Sequence, residues 1–277
     1  MDDETVRRAR EVVEAAEAVV ITAGAGMGVD SGLPDFRGDE GFWKAYPPFG
    51  KLGLRFVELA NPRWFHSDPA LAWGFYGHRK NLYADTVPHA GFGWLRDYAA
   101  SRPEGGFVFT SNVDGQFDKA GFEASKVAEC HGNIHHLQCL EGRCAAGIWS
   151  SDVRVVVDPE TTRATPPFPT CRRCGGLARP NILMFGDGAW RSERSDEQET
   201  RLYKFVQAVL AKSARLVVIE MGAGTAIPTV RHLSEEVARR ARGTLIRINP
   251  RESHGPAGTL SFAVGAMAAL GPLLRSS

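Results

Sequence analysis

The chain contains no run of about 18 apolar residues, the length a bilayer-spanning helix needs, so no membrane helix is expected. It has almost no net charge. Its 33 Lys and Arg face 32 Asp and Glu, leaving +1, a balance that raises no broad field to gather nucleic acid or an anionic membrane surface. The opening MDDETVRRAR is charged and lacks the apolar stretch of an export signal, so a cytoplasmic location is expected. Cysteines are few and odd in number, at 130, 139, 144, 171 and 174, which speaks against a disulfide framework and for metal binding or catalysis. Internal repeats and low-complexity tracts are missing. Apolar material is plentiful: 43% of the 277 residues are hydrophobic and 23% charged, the composition of a chain with a real core. Its length suits one large domain, or a large one with a small companion.

What is present has a repeating grammar. Val6, Ala9, Val13 and Ala16 share a helical face. AVVIT (18–22) then forms a continuous β-branched run suited to a strand covered on both faces. Similar runs recur at FVFTSN (107–112), RLVVIEMGAG (215–224) and TLIRIN (244–249), with helical spacing over 202–210 and 230–241. Strands alternating with helices predict an α/β fold, a Rossmann-like, mostly parallel sheet with helices on both faces. Its ligands belong at the carboxyl ends of the strands. Two segments interrupt the pattern. Residues 39–88 are rich in aromatics and read as a helical insertion with its own small core. Residues 137–178 hold four cysteines and read as a metal-stapled module. The expected division is a sheet domain of 1–38, 89–136 and 179–277, the insertion 39–88 and the module 137–178.

Four motifs carry chemistry. GAGMGVDSGLPDFRG (24–38) places Gly24, Ala25 and Gly26 after a strand, where backbone N–H groups and a helix N-terminus can receive a pyrophosphate; tight packing is the structural alternative. Its tail adds Asp35, Phe36 and Arg37. In TSNVDGQFDKAG (110–121), Asn112 and Asp114 follow a strand end and can bind ribose hydroxyls or a carboxamide, or can close an Asx turn. In ECHGNIHH (129–136), His131 can take a proton near pH 7, and the adjoining Gly132 is expected to leave room for a ligand. Cys139-x4-Cys144 and Cys171-x2-Cys174 suit four thiolates around one structural Zn²⁺ with no open coordination position. Cys130 has no paired cysteine and reads as a buried spectator, with a nucleophile as the alternative because it adjoins His131.

Taken in order, these motifs resemble the sirtuin family of NAD-dependent protein-lysine deacylases across nearly the whole chain. RPNILMFGD (179–187), GAGTAIP (222–228) and IN (248–249) are similar to further family elements. The resemblance implies NAD across the strand ends. Gly24, Ala25 and Gly26 would take its pyrophosphate, with Asp35, Phe36 and Arg37 in the cofactor loop. Ser111, Asn112 and Asp114 would lie at the nicotinamide ribose and carboxamide, and Gly222, Gly224, Thr225 and Asn249 at the adenosine side. His131 would be the base. Met184, Phe185 and Gly186 would pair with a substrate peptide presenting an acylated lysine. Tyr76 and Arg79, three apart on a helix, look like the Tyr-x-x-Arg pair of sirtuins that accept succinyl or malonyl groups. Gly74 and Gly77 weaken that helix. Departures stand at Gly28, Ser111, Gln116, Phe117, Asp187 and Ala226, each expected to remove or shorten a polar contact. The implied activity is acyl transfer to ADP-ribose with release of nicotinamide. The alternatives are ADP-ribosyl transfer or NAD hydrolysis on the same scaffold, or an NAD-sensing module without turnover.

Overall fold

The computed structural model describes residues 2–35, 38–51 and 53–275. In chain order the strands are β1 (Ala18–Ala23), β2 (Gly106–Thr110), β3 (Val127–Glu129), β4 (Gly132–Cys139), β5 (Ile148–Ser150), β6 (Ala178–Ile182), β7 (Leu216–Met221), β8 (Thr244–Ile248) and β9 (Leu260–Phe262). The helices are α1 (Asp3–Ala15), α2 (Gly38–Ala45), α3 (Pro47–Lys51), α4 (Phe56–Leu59), α5 (Arg63–Ser67), α6 (Pro69–Asp85), α7 (Ala90–Ser101), α8 (Gln116–Lys119), α9 (Glu193–Ala211), α10 (Thr229–Ala241) and α11 (Ala266–Leu274). Among the described residues, no helix is long and apolar enough to cross a membrane.

Six strands form a parallel sheet in the order β3-β2-β1-β7-β8-β9. The continuous apolar runs supply both of its faces, because successive side chains in a strand point to opposite sides. Val19, Ile21, Ala23, Val217 and Ile219 pack with Ala9 and Val13 of α1, Phe92 and Leu95 of α7 and Leu270 of α11. Ala18, Val20, Leu216 and Val218 pack with Leu202 and Val206 of α9 and Val230 and Val237 of α10. Strand order reverses between β1 and β7. That is the switch point, and in open α/β sheets ligands bind outside the carboxyl ends of the strands at such a point.

A second, antiparallel sheet has the order β5-β4-β6. It begins at Gly132 and reaches Ile182, so it takes residues from both sides of the boundaries expected at 136/137 and 178/179. The aromatic insertion does not have a core of its own. Phe42, Tyr46, Phe49, Phe65, Trp73 and Phe75 form one cluster with Ile134, Leu137, Ala178 and Ile182 of the small sheet. Helices of four or five residues such as α3, α4 and α5 present too little surface to close a core alone. Gly74 and Gly77, which weaken a helix in isolation, serve packing in α6. A methyl on Gly74 would lie 2.0 Å from the Thr162 carbonyl oxygen, and one on Gly77 would lie 2.6 Å from Val155.

Candidate active site at the carboxyl edge of the sheet

The two glycine loops at the switch point touch backbone to backbone. Gly24 N–H donates to the Met221 carbonyl at 2.9 Å and Gly26 N–H to that of Gly222 at 3.1 Å. A methyl on Gly24 would lie 2.8 Å from Gly222 O, and one on Gly222 would lie 2.4 Å from Gly26. Tight packing therefore explains Gly24 and Gly222. Ala25 remains exposed and Gly26 half-buried at the edge. The helix that follows is a seven-residue 3-10 helix, Ala25–Ser31. The Gly26 and Met27 amides are already bonded to Gly222 and Gly24, so fewer donors remain than the motif promised. Phe36 and Arg37 lie outside the described residues. Asp35 accepts from Arg251 Nη2 at 3.0 Å.

β2 delivers the second group. Ser111, half-buried, donates its amide to Ala23 O. Asn112 Nδ2 donates to the Gly24 carbonyl at 3.0 Å, so this amide braces the first glycine loop. Asp114 Oδ1 accepts from the Gln116 amide at 2.9 Å, which is the Asx turn offered as the structural alternative. The carboxylate also looks toward Gly28, where a methyl would stand 3.7 Å from Oδ2. Burial pushes the Asp114 carboxyl up to about 6, against the pull of the Gln116 amide. Gln116 Oε1 is buried without a hydrogen-bond partner among the described residues.

His131 follows β3 and sits beside Ser111. Its ring is partly buried. Burial pulls its pKa below the ordinary histidine value, and a backbone hydrogen bond with Ser111 opposes this. Its main chain is pinned, since Cys130 N–H donates to Thr110 O and His131 O accepts from Leu183 N–H. Gly132 does not leave space for a ligand. At φ +79° a methyl there would lie 2.0 Å from the Asn181 carbonyl. Only glycine lets the chain turn here while β4 approaches β6. Cys130 is buried, its thiol pushed up by burial and then by Glu199, as suits a neutral spectator.

On the other side of the crevice Gly224 is half-buried and Thr225 exposed. Asn249 is wholly buried: Nδ2 donates to Ala223 O at 2.8 Å, and Oδ1 accepts the Arg251 and Glu252 amides. It therefore shapes the edge without facing it. Glu252, missed from the sequence, accepts from both the amide and the hydroxyl of Thr225. Arg251 and Glu252 follow the IN pair after Pro250, and that proximity was the available signal.

The far end of the site runs along residues 183–187. Met184 is buried and Phe185 38% exposed. The amides of Leu183, Met184 and Phe185 are taken by His131 O, Asp187 Oδ2 and Ala60 O. A peptide added as a strand beside these three residues would therefore find their carbonyls rather than their N–H groups. Gly186 turns the chain toward Asp187, which receives both terminal nitrogens of Arg179. Tyr76 and Arg79 are buried on α6. Arg79 lies 5.1 Å from the Phe75 ring centroid, 5.8 Å from that of Tyr76 and 5.4 Å from that of Tyr83. Its Nε donates to the Tyr83 hydroxyl at 3.1 Å. Tyr83, four residues beyond Arg79 on the same face, was not singled out from the sequence.

Away from the crevice, the sulfurs of Cys139, Cys144, Cys171 and Cys174 all lie within 4.8 Å of one another. The 139–174 and 144–171 pairs are 3.7 and 3.8 Å apart. A tetrahedron with Zn–S bonds of about 2.3 Å has edges of about 3.8 Å, so the donor set and its size fit Zn²⁺. The polar and backbone groups along the carboxyl edge, running from His131 and Ser111 past the 24–26 loop to the 222–225 loop, likewise fit an extended dinucleotide.

The Sir2 family model matches residues 24–209. An NAD-dependent protein deacylase of Aquifex aeolicus is 30% identical over 85% of this chain and 84% of its own length. One from Pyrococcus abyssi is 31% identical over 90% of this chain and 87% of its own. A solved structure described as a Sir2 homolog–NAD complex shares 25% identity, covering 99% of this chain and 93% of that one with a TM-score of 0.73.

Proposed function

This chain belongs to the Sir2 family, and from that premise we infer that it is an NAD-dependent protein deacylase whose active site is the crevice at the β1/β7 switch point. The observation that carries the reading is the convergence of the two glycine loops, Ser111–Asp114 and a neutral, partly buried His131 on one edge.

Bound NAD supplies a ribose carbon that the acyl oxygen of the modified lysine can attack as nicotinamide departs. The chain's own residues do the rest. Ala25, Gly26, Gly224 and Thr225 line the edge that holds the two halves of the cofactor. Asn112 braces the first loop, and Asp114 sits behind it near Gly28. His131, kept neutral by burial, accepts the ribose hydroxyl proton at its ring nitrogen so that the freed oxygen completes transfer of the acyl group. Met184, Phe185 and Gly186 flank the lysine, where the exposed Phe185 excludes water. The four thiolates hold Zn²⁺, which closes the small sheet and takes no part in the bond changes. A thiolate site of this kind needs reduced cysteines, and we place the enzyme in the cytoplasm. Its partners are proteins carrying acylated lysines.

We further propose that the acyl pocket accepts succinyl or malonyl groups through Arg79 and Tyr76. The support is a buried guanidinium in an aromatic surround, where a carboxylate is attracted more strongly than in water. The test is nicotinamide release with acetyl-, succinyl- and longer acyl-lysine peptides. His131→Ala should nearly abolish acyl-dependent release, and Arg79→Met should remove succinyl turnover while sparing acetyl. Release that ignores the acyl peptide would point to NAD hydrolysis or ADP-ribosyl transfer instead.

A further inference from the structure

We propose that Glu129, held by Arg194 of α9, is the positioning residue that sets His131 in the active site. The inference rests on His131 being the base, and it names what aims that side chain.

Glu129 ends β3, two residues before His131, and is 5% exposed. Its carboxylate makes two short contacts in opposite directions. Oε2 receives Arg194 Nη2 at 2.6 Å, and Oε1 receives Asn133 Nδ2 at 2.6 Å. Asn133 lies two residues beyond His131, so the carboxylate closes a bracket across the 129–133 turn with the histidine at its apex. The bracket continues, because Asn133 Oδ1 accepts the His135 amide at 2.7 Å. The main chain of Glu129 is fastened to the same helix. Its amide donates to Gln198 Oε1 at 3.1 Å, and its carbonyl accepts from Ser195 Oγ at 2.8 Å. Three side chains from the first turns of α9 thus converge on one residue of β3.

The chemistry of the pair says why it is more than a strand anchor. A buried carboxylate is costly unless paired. Burial raises the Glu129 pKa, and Arg194 is the leading influence that lowers it. Arg194 Nη1 is buried without a hydrogen-bond partner among the described residues, so Glu129 is the carboxylate that holds this guanidinium. The opposite wall of the turn is already fixed by Thr110 and Leu183. The carboxylate fixes the remaining side, and misplacement of a reacting group by about 1 Å costs on the order of 100-fold in rate.

The test uses the full chain with Arg194→Met, Arg194→Lys and Glu129→Gln, alone and combined with His131→Ala. Arg194→Met and Glu129→Gln should lower kcat by about 10- to 100-fold and leave KM and Kd for NAD within about twofold. Arg194→Lys should recover most of the rate. In the His131→Ala background, Arg194→Met should have no further effect on residual turnover, because residues that act as a unit are not additive. The His131 imidazole resonance should also shift in Arg194→Met. Unchanged kcat, a parallel rise in KM for NAD, additive loss with His131→Ala or an unmoved imidazole would overturn the assignment. Should Arg194→Met fail to fold, Arg194→Lys and Glu129→Gln carry the same comparison. Full activity in His131→Ala alone would instead refute His131 as base, and the imidazole shift would still decide whether Glu129 positions it.

Discussion

Replacing Asp187 by alanine removes the carboxylate that receives both terminal nitrogens of Arg179, at 2.6 and 2.8 Å. Both side chains are completely shielded from solvent. Loss of one partner leaves a buried cation uncompensated, which costs about 3–5 kcal/mol. Among the described residues Arg179 Nε has no hydrogen-bond partner, and Nη1 keeps only the Met184 sulfur at 3.6 Å, a weak acceptor. A chain of this size loses roughly 2–4 °C of melting temperature per kcal/mol, so Asp187→Ala should melt about 6–20 °C lower by calorimetry or circular dichroism. The carboxylate also accepts the Met184 and Ala189 amides at 3.4 and 3.3 Å. The segment expected to flank the acyl-lysine should therefore loosen, raising KM for peptide while Kd for NAD holds. The double variant Arg179→Met, Asp187→Leu should regain most of the stability, because it removes the charge and its desolvation together. A loss below about 1 kcal/mol in the single variant, or a double variant no better than the single, would refute the reasoning.

Asp114→Asn should stabilise the protein at pH 7 at the expense of activity. The carboxyl is raised from 3.8 to about 6 by burial, so the stability that its protonated form contributes is complete below about pH 3.8 and disappears as pH rises through about 6. The ionised group then costs the fold about 3 kcal/mol at pH 7, and equal unfolding midpoints for both proteins at pH 7 would contradict this. His131 is pulled below the ordinary value of 6.5, so kcat should stay level between about pH 7 and 8 and fall only on the acid side of 6.5; an acid limb centred above that value would count against a buried neutral base. Chelation or Cys171→Ser should release one zinc per chain and dissolve the apolar cluster of Cys139, Ala146 and Cys171. Metal analysis with near-ultraviolet circular dichroism reads this directly, and an unaltered spectrum after zinc loss would show that the small sheet stands without its staple.

Four strands of the parallel sheet (β1, β2, β7 and β8), the glycine loops, the four cysteines and the histidine were legible in the sequence because each is written locally, whereas β3, β9 and the antiparallel sheet β5-β4-β6 were not. β-branched runs, 3.6-residue spacing and paired cysteines are short-range patterns that survive without knowledge of neighbours. The family's residues could then be found one by one. What each residue touches was decided by distant chain segments. Gly132 yields to a carbonyl at position 181, Gly24 to the loop at 222, and Gly74 to the backbone at 162. Asn249 proved to be an internal brace, and the aromatic insertion completes its core with the small sheet. Glu129 meets Arg194 across 65 positions. Contacts of that separation leave no periodic trace in a single chain, since any compatible pair of residues can be brought together once the sheet has set their positions. The sequence determined which chemical groups this protein carries and on which elements. Tertiary packing determined which of them face the crevice and which are spent in holding it open, because burial and hydrogen-bond satisfaction are properties of neighbours in space.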